Sequence, residues 1–319
     1  MKTQKSTDRL NYSGDLDPVI RVICDTYLLG SLISFSTVDV GYEDCNILIE
    51  AGEGKFLAKM FSKARSADDV RRYVSIMWEV ANAGVSHPKF MQQKNGEILF
   101  QVHGISLVVM RFVDGKTFFE LDRAPDKNER TAVIGQAVKI NRINHHPAYI
   151  FDSWAIPNIQ KIFNRVVRFI SPEDVRLVTQ AKEQYEAIRT SDLPQCFVHG
   201  DLIKSNILRG EDGKIYILDF SVANWYPRIQ ELAVVAGNLM HDSTNGNSLR
   251  QTCKILADDY RAFEPLTDSE LEGLYPYALA GVAMDFLGAH QEKYINGNDS
   301  DETEYWLTLG RTELRKALA

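Results

Sequence analysis

Cysteine is scarce in this chain: Cys24, Cys45, Cys196 and Cys253 are the only four in 319 residues, far apart and with no C-x-x-C pair. Such spacing excludes a zinc ribbon or a disulfide framework and suits a reducing compartment. Positive charge is also short, with 36 Lys and Arg against 43 Asp and Glu and a formal net charge of -7. A broad surface for nucleic-acid backbone is therefore not expected. Long apolar runs are missing. The greasiest stretch, Leu274 to Ala289, is interrupted by Asp285 and is too short to cross a bilayer. The N-terminal MKTQKSTDRLNYSGDLD has no apolar core of a secretory signal. Repeats and low-complexity segments are absent, which excludes a solenoid. A cytoplasmic protein with neither membrane nor nucleic acid as partner is the expectation. The sequence carries no signature of oligomeric state.

What is present has the profile of an ordinary globular protein, 45% hydrophobic and 25% charged, at about twice the usual length of one domain. The first hundred or so residues read as strands around one helix. Leu32 to Val40, Asn46 to Glu50 and Lys55 to Phe61 are strand-like, and Gly52 and Gly54 mark a hairpin turn between the last two. Ser66-Ala67-Asp68-Asp69 resembles a capping box, and Val70, Tyr73, Val74, Met77 and Val80 or Ala81 recur at helical spacing behind it. Two more strands, Glu97 to Val102 and Ile105 to Val113, meet at His103-Gly104.

After Asp114-Gly115 the pattern turns helical. Thr131 to Asn144 has a helical face, Ser171-Pro172-Glu173-Asp174 is a helix start, and Thr267-Asp268-Ser269-Glu270 is a second capping box. A β-rich interruption, Phe197 to Phe220, lies among these helices. Its strands, Asn206 to Leu208 and Ile215 to Leu218, flank the turn Gly210 to Gly213, and the hairpin brings Asn206 beside Asp219 although they stand thirteen positions apart. Two side-chain oxygens at that point suit Mg²⁺, a hard cation that takes one or two carboxylates and otherwise phosphate and water. Asp201, on the preceding loop, faces the same space and can accept a proton from an attacking hydroxyl.

These residues carry a resemblance. His199-Gly200-Asp201-Leu202 with Asn206, followed by Leu218-Asp219-Phe220, resembles the H-G-D-L-x-x-x-N loop and I-D-F element of the aminoglycoside phosphotransferase and choline kinase family, distant relatives of protein kinases. Within that group the chain is most similar to homoserine-kinase-like small-molecule kinases. Gly41-Tyr42-Glu43-Asp44-Cys45-Asn46 resembles their G-x-E-N-x-N loop, Phe56 to Phe61 their nucleotide-lysine strand, and Glu231-Leu232-Ala233 their D-L-A helix start with Glu in place of Asp.

The resemblance implies an α+β, bilobal, protein-kinase-like fold, with a nucleotide-binding lobe of antiparallel sheet plus one helix at 1–111 and a mostly helical catalytic and substrate lobe at 112–319. It implies Asp201 as catalytic base, Asn206 and Asp219 as Mg²⁺ ligands, and Lys59 on the α- and β-phosphates of ATP. Gly41 would cover phosphates, aided by Asn46. The acid that orients Lys59 is either Asp69, which also suits the capping box, or Glu79; the usual spacing of that acid falls nearer Tyr73. Lys204 is either a solvated loop lysine or a group that neutralises charge on the transferring phosphoryl. His199 is expected to hold the loop by hydrogen bonds, and the adjacent His145 and His146 not to bind metal.

ATP-dependent phosphorylation of a small-molecule hydroxyl, on a homoserine-, amino-alcohol- or aminoglycoside-like acceptor, is the leading expectation. The alternative is a catalytically silent nucleotide-binding, pseudokinase-like module. A protein kinase is disfavoured because no A-P-E segment follows Asp219-Phe220-Ser221.

Overall fold

The computed structural model describes residues 6–38, 44–242 and 246–318. The chain divides into two compact units, Met1–Trp78 with His87–Gly115, and Glu79–Ser86 with Lys116–Ala319. The division after Gly115 lies four residues beyond the boundary expected at 111.

In the first unit, helix α1 (Leu16–Tyr27) precedes strands β1 (Leu32–Val38), β2 (Cys45–Ala51) and β3 (Gly54–Met60). Helix α2 (Ala67–Asn82), whose last turn falls in the second unit, and strands β4 (Leu99–Val102) and β5 (Ile105–Arg111) follow. The five strands form one antiparallel sheet in the order β1-β2-β3-β5-β4. Strand alternation sorts its faces. Cys45, Ile47, Ile49, Phe56, Ala58, Met60, Ile105, Leu107 and Val109 share one core with Val19, Ile20, Ile23 and Tyr27 of α1. The sequence reading missed α1 and expected one helix here, not two. Its signals were local: Asp15 caps it by accepting from the Asp17 amide, and its buried residues recur at helical spacing. Since α1 takes the face of Ala58 and Met60, Lys59 belongs to the opposite one.

Strand β6 (Gly115–Thr117) begins on the last residue of the first unit, and helices α3 (Lys127–Asn141), α4 (Ile159–Val166) and α5 (Pro172–Glu186) of the second unit follow. Helix α3 starts four residues before the expected Thr131, because Asp126 and Glu129 close a capping box that the sequence reading overlooked. Strands β7 (Gln195–Val198), β8 (Ile207–Gly210), β9 (Ile215–Ile217) and β10 (Asn224–Pro227) come next, then helices α6 (Ile229–Val234), α7 (Leu249–Arg261), α8 (Asp268–Tyr294) and α9 (Asp301–Leu318). Strand β8 sits between β6 and β9, whereas β7 pairs with β10, a pairing the expected hairpin did not include.

Leu274 to Ala289, the greasiest run, is the middle of α8. It is apolar nearly all round and buried nearly all round, the pattern of a core helix. Thr267 caps α8 in the expected box, and Glu270, fully buried, both closes that box and pairs with Arg228 at 2.7 Å. No helix among the described residues is long and apolar enough to cross a membrane.

Candidate active site

The β8–β9 hairpin sets the geometry. Ile207 pairs with Ile217, and the Leu218 amide donates to the Asn206 carbonyl at 2.8 Å, which seats Asn206 next to the residue preceding Asp219. The Asn206 amide nitrogen donates to Asp201 twice, to the backbone carbonyl at 3.0 Å and to Oδ2 at 2.6 Å. With its nitrogen so committed, the amide presents Oδ1 as its acceptor. Asp219 has φ +54°, a left-handed conformation uncommon outside glycine, and Ser221 donates to its Oδ1 from both backbone and hydroxyl. One amide oxygen and one carboxylate fit Mg²⁺, which keeps water and phosphate oxygens for its remaining positions. Among the described residues no group of three or more His, Cys, Asp or Glu gathers to cage a metal.

Three groups hold the loop that carries Asp201. His199, fully buried, accepts from the Asp201 amide through Nδ1 at 3.1 Å, so Nε2 carries the proton and donates to the Leu218 carbonyl at 2.9 Å. That is a neutral imidazole, and burial lowers its pKa to about 4, which agrees. The ring also packs edge-on against Phe220. Gly200 has φ +82°, a turn that a side chain would strain. Glu231 of α6 receives the amides of His199 and Gly200, one on each oxygen. Burial raises its pKa to about 7 against the opposing pull of those two donors.

Asp201 itself is pushed well above the ordinary carboxylate range, first by burial and then by the charges of Asp152, Asp219 and Asp285; the Asn206 bond opposes this. Lys204, expected near the transferring phosphoryl group, is only 4% exposed, so it is not a solvated loop lysine. Burial lowers its pKa, and the acids acting on it are Asp122 and Asp242. The two headgroups therefore answer to different sets of acids.

In the first unit Lys59 is 5% exposed, on β3 opposite Asn46 of β2, so those two expected residues are cross-strand neighbours. Its ammonium lies 3.3 Å from Asp44 and 5.4 Å from the ring centre of Tyr73 on α2. Asp69 closes the helix cap instead: its Oδ2 accepts from the Ser66 amide and hydroxyl at 3.0 and 2.7 Å. Glu79 falls in the segment that joins the second unit. The sequence reading missed Asp44. It holds Lys59, Arg65 at 2.8 Å and the Ser62 amide at 3.0 Å, and its signal was an acid at the asparagine position of the G-x-E-N-x-N pattern. Gly41 lies outside the described residues. His146 stacks on Trp225 and His145 meets Phe197 edge-on, packing roles for both.

A family model described as the phosphotransferase enzyme family matches residues 34–266. The homoserine kinase of Methylobacterium radiotolerans is 22% identical over 290 residues, covering 89% of this chain and 88% of that one. Among solved structures, a spectinomycin phosphotransferase in complex with ADP and spectinomycin superposes with a TM-score of 0.69 at 12% identity, over 95% of this chain and 97% of that one. An amicoumacin kinase in complex with AMP-PNP, Ca²⁺ and Ami gives a TM-score of 0.66 at 14% identity, over 94% of this chain and 93% of that one. The protein-kinase-like, α+β fold is thereby established.

Proposed function

Because this chain belongs to the phosphotransferase enzyme family, a family of small-molecule kinases, we propose that it transfers the γ-phosphoryl group of ATP to a hydroxyl of a small amino-bearing acceptor. The observation that carries this reading is the join of Asp201, Asn206 and Asp219 through one hairpin register and one side-chain amide. In-line transfer needs positioning and charge neutralisation more than covalent chemistry.

Asp201 accepts the proton of the acceptor hydroxyl as its oxygen attacks phosphorus and ADP departs. A carboxylate with a raised pKa is the stronger base for that step. Neutral His199 and Glu231 hold the loop still while Asn206 fixes the carboxylate's rotation. Asn206 and Asp219 would hold Mg²⁺, which neutralises phosphate oxygens when bound. Lys59, with Asn46 beside it, serves the nucleotide phosphates. The relatives named homoserine kinase favour an amino-acid or amino-alcohol acceptor over a sugar.

The test is ATP consumption by the purified chain across a panel of hydroxyl compounds, with nucleotide affinity measured with Mg²⁺ and with chelator. Acceptor-dependent ADP release is expected, together with a Mg²⁺ requirement that Asp219→Ala removes. If no compound raises ADP formation above the acceptor-free rate, the reading is wrong.

A further inference from the structure

We infer that a cavity in the first unit is a second ligand site, for a small phosphate monoester, and that its occupant weakens nucleotide binding at Lys59. The site is independent of the acceptor, whereas the coupling rests on Lys59 serving the nucleotide as proposed above.

The cavity measures about 410 Å³, within the roughly 300–1,000 Å³ of small-molecule sites. It lies where β3 ends and α2 begins, beside the β4–β5 turn. Lys63, Arg65, Ser62, Ser106 and Asn11 form its polar wall, and among the described residues no acid lines it. Neither Lys59 nor Asn46 borders it. Backbone bonds fix the wall: the Phe61 amide donates to the Ser106 carbonyl at 2.9 Å, and the Lys63 amide to the Arg9 carbonyl at 3.0 Å.

The groups on this wall are donors. Lys63 Nζ donates to the Asp8 carbonyl at 3.1 Å, a neutral partner that leaves the ammonium's charge in place. Ser106 Oγ accepts from the Gln101 side-chain amide at 3.1 Å, so its own proton is left to donate. Arg65 brings a planar fork matched to oxyanions. The first-turn acids of α2 are engaged elsewhere, Asp68 by Arg71 and Asp69 by Ser66. A carboxylate has two oxygens and would be satisfied by Arg65 alone. A phosphate monoester has three acceptor oxygens and up to two charges, which suits two cations and a hydroxyl together.

Arg65 also ties the cavity to Lys59. Its Nε donates to Asp44 Oδ1 at 2.8 Å, while Lys59 lies 3.3 Å from Oδ2. One buried carboxylate thus divides its charge between an arginine of the cavity and the lysine assigned to the nucleotide. An anion in the cavity draws on Arg65 and leaves more of Asp44's charge to Lys59, which then attracts nucleotide phosphates less. Linkage makes the effect mutual, so ATP weakens the occupant by the same factor.

The experiment titrates the intact chain calorimetrically with glycerol 3-phosphate as probe and glycerol as its uncharged counterpart. The wild type should bind the ester and not glycerol. Lys63→Met should weaken the ester by roughly 10-fold or more and Ser106→Ala by about 2- to 10-fold, the ranges of a charged and a neutral hydrogen bond. Asp219→Ala, at the proposed metal ligand, should bind the ester as the wild type does. Saturating ester should raise the Kd of Mg²⁺-ATP by about 5-fold or more, and the rise should then level off. The inference is overturned if the ester fails to bind, if glycerol binds equally, or if both wall variants bind like the wild type. It also fails if Asp219→Ala abolishes ester binding, if the ester leaves ATP affinity unchanged, or if the ATP Kd climbs without limit, which marks competition for one site. Inorganic phosphate should bind more weakly than the ester, and equal affinity would overturn the ester assignment. Failure of every acceptor to raise ADP formation sinks the kinase reading alone, because both titrations are read without turnover.

Discussion

Asp201 and Lys59 show two ways of placing a charge away from water. Asp201 keeps a raised pKa because burial and three neighbouring acids outweigh one amide donor. Removing its charge while keeping its shape should leave nucleotide binding intact and cost turnover. Asp201→Asn is expected to lower kcat by a factor on the order of 10²–10⁴, the usual range for loss of a general base. Steady-state kinetics with the true acceptor checks this, and wild-type turnover would remove Asp201 from the mechanism. Lys59 is instead neutralised within its own unit by Asp44, which Arg65 and the Ser62 amide hold in turn. Breaking one side of a buried pair costs more than removing both. A stability cycle of Asp44→Asn and Lys59→Met should therefore show coupling of about 0.5–3 kcal/mol. Additive losses in urea unfolding would mean that the two do not act as a pair.

Helix α6 and the catalytic loop are joined through Glu231, whose folded pKa of about 7 stands above its ordinary 4.5. Between those two values the folded state holds a proton that the unfolded chain has released. Stability is thus fully present below pH 4.5 and is lost as pH rises through about 7. Asp285, also raised to about 7, acts in the same direction. Chemical denaturation at a series of pH values should show this decline in the wild type and a flatter profile in Glu231→Gln. An identical slope in both would assign the dependence to other groups.

Helices α8 and α9 meet so closely at Gly310 that an added Cβ would lie 2.5 Å from the Phe286 amide nitrogen and 2.8 Å from its Cα. Helix propensity alone favours Ala over Gly by about 1 kcal/mol. Overpacking against backbone, which cannot move aside, costs about 1–3 kcal/mol and should win. Gly310→Ala is expected to lower the urea midpoint, and a raised midpoint would show that the two helices can part.

For the molecule as a whole, the acceptor class follows from how little chain lies between Asp219, the proposed metal ligand, and the next helix. Ile229, the first residue of α6, comes ten positions after Asp219, and Asn224–Pro227 within that interval is taken up as β10 by pairing with β7. Nothing remains there to form an activation segment or a peptide platform. Four helices, α6 to α9, follow instead. Peptides bearing Ser, Thr or Tyr should therefore stimulate no phosphoryl transfer under conditions in which a small hydroxyl compound does. Efficient peptide phosphorylation with no active metabolite would reverse that conclusion.

The loop that carries Asp201 could be read from the sequence because its bonds are local: His199, Asp201 and Asn206 lie within eight residues, and one hairpin turn fixes where Asp219 falls. Capping boxes at Ser66 and Thr267 were equally readable, since side chain and backbone three residues apart satisfy each other. The partner of Lys59 was not. Asp69 and Glu79 looked eligible on spacing, but the helix cap claims Asp69, while sheet pairing of β2 with β3 brings Asp44 to the lysine from a loop fifteen residues earlier. Lys204 reads equally as a solvated loop lysine or as a group near the transferring phosphoryl, and its burial is decided only when Phe119 and Asn238, both distant in sequence, fix its backbone. Bonds between near neighbours in the chain are written in residue order. Burial and charge pairing depend on which remote segments arrive at one place, and that is decided by packing.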